Sequence, residues 1–103
     1  MKQGIPTDEE ILAGLNPEQI KTLELKVLDL FMERAIERGK EVVIITDKQQ
    51  YNELFLNGTV FDQETFILYK NEQDRVDLRP AAERLLDTPE GLAYAKITRL
   101  SRA

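Results

Sequence analysis

The chain reads as an α+β domain in which a long two-faced helix packs on a small, largely antiparallel sheet of three or four strands, with short helices at the ends. Three observations predict it. A helical stretch without internal Gly or Pro runs from Asn16 to Gly39. The apolar run Val42-Val43-Ile44-Ile45 follows almost at once. Two further strand-like runs, Thr65–Lys70 and Arg75–Leu78, are joined by the polar link Asn71-Glu72-Gln73-Asp74. Helices, then strands, then helices in chain order is the pattern of segregated rather than alternating elements.

Residues 1–6 are expected to form a loose arm ahead of a single domain spanning the chain. Thr7-Asp8-Glu9-Glu10 has the spacing of a capping box and opens a short helix to about Leu15, with Ile11, Leu12 and Leu15 on its apolar side. Asn16-Pro17-Glu18-Gln19 repeats that logic: an Asn that caps, a Pro at the first helical position and a Gln three residues after the cap. Gly39 supplies the stop, with Arg34, Arg38 and Lys40 at the negative end of the helix dipole.

At about 100° per residue this long helix carries two apolar rows. Ile20, Leu23, Val27, Leu30 and Phe31 make one; Leu25, Leu28, Met32 and Ile36 make the other. The second row runs to the helix end, so it is expected to lie under the sheet. The first row needs either the terminal helices or a second molecule. Ile20, Leu23, Val27 and Phe31 are therefore a partner or dimer face if they are not core.

Four consecutive β-branched apolar residues at Val42–Ile45 predict a central strand buried on both faces. Asp47 follows as the cap of a helix over 48–56, which Asn57-Gly58 closes. Thr59–Phe61 is a short candidate strand. Thr65–Lys70 and Arg75–Leu78 form a hairpin whose second strand alternates as an edge should. Pro80 opens a helical segment at Ala81–Leu86, and Thr88-Pro89-Glu90 starts the last helix, to about Leu100.

Composition excludes much chemistry. The 103 residues contain no His and no Cys, which removes the usual general base, the thiolate ligand and the disulfide. Five glycines stand far apart, so no phosphate loop exists. The best catalytic or ligand candidate is Asp47 with Lys48, at the end of the expected central strand, against the plainer reading of Asp47 as a helix cap. Asp62, Glu64, Glu72, Asp74 and Asp77 invite a hard cation only if they converge, and their spacing matches no calcium loop. Glu24 falls inside the apolar arc of the long helix, as a buried acid or one that reaches water. Lys96, Arg99 and Arg102 make a basic stripe suited to nucleic acid or an acidic protein surface, or simply to the end of a helix dipole.

The net charge is −5, and it is concentrated: residues 41–78 hold 8 acidic and 3 basic groups, whereas 79–103 hold 3 and 5. An acidic middle disfavours nucleic acid. No apolar run spans a bilayer and no signal core follows Met1, so the expected location is cytoplasmic. By elimination the sequence points to a small acidic, non-enzymatic interaction protein: an adaptor, inhibitor or immunity-type factor, of the kind phages encode, that occludes a protein partner and requires no cofactor or metal. A homodimer is a separate expectation. The alternative is a ligand-binding domain or carboxylate-based enzyme at Asp47 and Lys48.

Overall fold

A computed structural model describes residues 7–62 and 64–100. Residues 1–6 and Arg102 lie outside the described residues, as do the side chains of Leu12 and Leu100. The elements are α1 (Asp8–Ala13), α2 (Pro17–Glu37), β1 (Val43–Ile45), α3 (Lys48–Leu56), a 3₁₀ turn (Thr59–Phe61), β2 (Ile67–Lys70), β3 (Val76–Asp77), α4 (Arg79–Arg84) and α5 (Pro89–Leu100). The α+β class is as the sequence predicts.

Both capping boxes form. The Thr7 hydroxyl accepts from the Glu10 amide while the Glu10 carboxylate accepts from the Thr7 amide. Asn16 and Gln19 do the same at α2. That helix ends because Gly39 turns to φ 65°, letting the Lys40 amide reach back to the Ala35 carbonyl at 2.9 Å.

The sheet is mixed. β1 runs parallel to β2 in the register Val43–Ile67, Ile44–Leu68 and Ile45–Tyr69, and β2 pairs antiparallel with β3 through Tyr69–Asp77 and Lys70–Val76. The order β1-β2-β3 makes β2 the centre. Parallel neighbours need a crossover of a dozen or more residues, which α3 and the 3₁₀ turn supply. Two expectations are therefore corrected: Val42–Ile45 lies at the edge of the sheet rather than its centre, and Thr59–Phe61 is a helical turn rather than a strand.

Helices cover both faces. On one, Phe66, Leu68 and Leu78 meet Leu23, Val27, Phe31 and Ala35 of α2, with Ala81, Ala82 and Leu85 of the α4 region and Ala93, Tyr94 and Ala95 of α5. On the other, Ile45 and Ile67 meet Tyr51 of α3 and Val60 of the 3₁₀ turn. The alanines let three helices approach closely, and Phe31 packs on Phe66 at 5.3 Å between ring centres.

This packing sets the first row of α2, and not the second, against the sheet. Leu23, Val27 and Phe31 are buried within the chain, and Ile20 is half-buried. Of the two readings of Ile20, Leu23, Val27 and Phe31, core or partner face, this burial within the chain fits the core. Three elements, β2, α4 and α5, converge on that row, and Ala35 extends it one turn beyond Phe31. The second row is the open one: Leu25, Met32 and Ile36 are exposed, and only Leu28 packs against the core. The short α1 packs chiefly elsewhere. It lies on α5, where Lys96 Nζ meets Asp8 Oδ1 at 2.8 Å.

Candidate functional site

Asp47 does what a cap does: its Oδ1 accepts from the Gln49 and Gln50 amides at 2.9 and 3.2 Å. Asp47 and Lys48 are both exposed and line neither of the clefts described below. The five hairpin-side acids disperse. Glu64 meets Lys40, Asp74 meets Lys70, Asp62 accepts within its own turn, Glu72 is exposed in the hairpin turn, and Asp77 turns inward. Among the described residues, no group of three carboxylates is placed to hold a metal ion.

Asp77 is instead the hub of a polar network. Its Oδ1 accepts from Arg79 Nε at 2.9 Å, and its Oδ2 accepts from Arg79 Nη2 at 2.7 Å and from the Tyr51 hydroxyl at 3.0 Å. Burial opposes its ionisation, but the hydrogen bonds from Arg79 outweigh that and hold the carboxyl below the usual aspartate range. Burial, then the Asp77 charge, pushes the Tyr51 phenol upward. Tyr51 also stacks on Tyr69 at 4.8 Å, so the network fixes α3 to β2 and β3.

Glu24 has a partner that its sequence context did not suggest. The Tyr94 hydroxyl donates to its Oε2 at 3.0 Å, tying α2 to α5. The basic stripe is largely spent inside the chain: Lys96 pairs with Asp8, and Arg99 meets Glu83 at 2.8 Å.

What remains open is the β1 edge. Val43 and Ile44 are 53% and 54% exposed although they sit in a strand. The Val43 amide donates inward to the Phe66 carbonyl at 2.7 Å. Alternation along a strand then turns the Ile44 N–H and C=O outward, and among the described residues no strand lies beyond them. Neither face of β1 is sealed. Ile44 shares the face of Leu68, on which α2 packs, and Val43 shares the face of Ile67, on which α3 packs.

Edge strands are ordinarily guarded by Lys, Pro, a bulge or a covering loop. β1 has none within Val43–Ile45, and its nearest charges are Glu41 and Asp47. The run of β-branched residues was visible in the sequence, but its place at an edge was not. The useful clue was strand, helix, strand over 43–70, which implies a parallel crossover.

No family model, curated protein or solved structure matches the chain.

Proposed function

We propose that the protein is a small acidic, non-enzymatic interaction protein of the cytoplasm that binds and occludes another protein through the β1 edge. One observation carries this reading: β1, paired on one side only, presents Val43 and Ile44 half-exposed, with the Ile44 backbone groups directed outward. An extended segment of the partner adds there as a further strand, its backbone satisfying the edge and its side chains meeting Val43 and Ile44. Exposed Leu25, Met32 and Ile36 on α2 offer additional apolar area to the same partner. Charge specifies the segment further. The sheet-bearing residues 41–78 carry 8 acidic against 3 basic groups, so basic residues flanking an apolar partner strand are favoured.

The test introduces a strand guard. Ile44→Lys places a charge on the edge without touching a buried side chain, so its thermal midpoint should stay within a few degrees of the parent. A protein captured near-stoichiometrically by the parent should be lost by Ile44→Lys and retained by Lys96→Ala/Arg99→Ala. In the recovered complex, the Ile44 amide should become protected from hydrogen exchange. Capture that survives Ile44→Lys, or an Ile44 amide still exchanging freely in the complex, rejects the edge as the binding site. A second copy of the chain as the only bound protein rejects the occluding role and identifies a dimer edge.

A further inference from the structure

Arg84 holds a charge that the fold does not neutralise. Its guanidinium lies 5.3 Å from the Phe66 ring centre and 5.6 Å from that of Phe31. Nη2 donates to the Val60 carbonyl at 2.6 Å and to the Thr65 hydroxyl at 3.1 Å. Nε and Nη1 are shut off from solvent and have no acceptor among the described residues. Buried polar atoms nearly always find a partner, and two orphans on one cation call for a reason. Burial lowers the Arg84 pKa, and only Asp62, acting through space, opposes that. The phenyl faces attract a cation but supply no compensating charge.

The side chain lines a cleft of about 120 Å³ together with Arg34, Arg38, Phe66 and Glu83. Two of the charges there are already used. Arg34 makes a two-pronged pair with Asp87, at 3.1 and 2.9 Å, and donates to the Arg84 carbonyl at 2.9 Å. Glu83 is held by Arg99. The Arg38 side chain donates no hydrogen bond among the described residues and acts on Asp87 only through space. The cleft therefore retains two uncompensated guanidinium charges, from Arg38 and Arg84, on a protein whose overall charge is −5.

We infer that this cleft, formed by Arg34, Arg38 and Arg84 at the junction of α2, β2 and α4, is a binding site for a phosphate-type dianion. A phosphoryl group carries about −1.5 to −2 charges near neutral pH, matching the two uncompensated arginines where a monocarboxylate would leave one over. At about 120 Å³ the cleft has room for a phosphoryl head. The anion accepts its hydrogen bonds from Arg38 and answers the Arg84 charge through space. It need not touch Nε or Nη1, because what Arg84 lacks is a counter-charge. Such an occupant bridges α2 to α4 and locks their packing.

The probes are inorganic phosphate and methyl phosphate, added to the full chain at neutral pH with ionic strength held constant by chloride, and acetate as the singly charged control. Arginine side-chain nitrogen–proton signals and the thermal midpoint are followed together. Phosphate should shift the Arg38 and Arg84 signals saturably and raise the midpoint, whereas acetate should do so at least tenfold more weakly. Arg38→Ala, which removes no intramolecular hydrogen bond, should fold normally and weaken phosphate about tenfold or more. Equal affinity for the two phosphates identifies the free ion as sufficient, and tighter methyl phosphate identifies a monoester; both support the site. Unsaturable shifts matching chloride, or undiminished binding by folded Arg38→Ala, overturn it. Ile44→Lys should leave phosphate binding unchanged, so this result stands apart from that of the β1 edge.

Discussion

Asp77 shows how far a single side chain can be from its sequence appearance. In the sequence it is one of several acids near a hairpin. In the fold it accepts three side-chain hydrogen bonds, two from Arg79 and one from Tyr51. Asp77→Asn removes the charge and misdirects an amide toward Arg79, at a cost of about 1–3 kcal/mol at pH 7. The sign of the pH dependence follows from its lowered pKa. The contribution is complete above the unfolded aspartate value near 3.9 and disappears as pH falls from there through the lower folded value. Urea melts at pH 7 and at steps below pH 4 should show the gap between parent and Asp77→Asn shrinking with acid. A gap that is constant with pH would remove the charge from the account. Arg79 was no more legible, because its role depends on β3 delivering it beside Tyr51, a residue 28 positions earlier in number.

Among the elements, those with local signals were the most legible. The capping boxes of α1 and α2, the Asp47 cap of α3 and the Thr88 cap, whose hydroxyl accepts from the Gly91 amide at 3.0 Å, all follow from residues within three positions. Strand order and the choice between two apolar rows did not, since both depend on which distant elements converge. Gly91 illustrates the limit. It stands in the first turn of α5, where a glycine ordinarily weakens a helix. A Cβ there would meet the Leu85 carbonyl oxygen and Leu85 Cβ, the latter at 2.5 Å. The absence of a side chain is what allows α5 to turn back tightly on the end of α4. Gly91→Ala gains helix propensity of at most about 1 kcal/mol, while the backbone overlap costs about 1–3 kcal/mol or more. The net loss should appear as a lower thermal midpoint, with α4 and the start of α5 exchanging faster. A midpoint equal to or above the parent's would show that the α4–α5 junction yields easily.

At the scale of the whole molecule, the decisive point is that one helix serves as both core and surface. Its wide apolar arc correctly announced two tasks, but nothing local says which row meets the sheet. The fold assigns Leu23, Val27, Phe31 and Ala35 to the interior, because β2, α4 and α5 close over them together. The opposite row is left at the surface, where Ile36 is 76% exposed, whereas Val27 on the inner row is 0% exposed. A pair of charge substitutions separates these roles. Val27→Glu buries an unpaired carboxylate, with a penalty comparable to the total stability of about 5–15 kcal/mol typical of a domain, so the chain should lose cooperative melting. Ile36→Glu places the same charge in water and should change the stability by no more than about 0.5 kcal/mol. It should nevertheless weaken partner capture if the exposed row joins the β1 edge in the contact. Circular dichroism melts of the two variants, run beside the same capture assay, read both roles. A folded Val27→Glu would return that row to the surface, and a destabilised Ile36→Glu would show that the open face is covered within the chain itself.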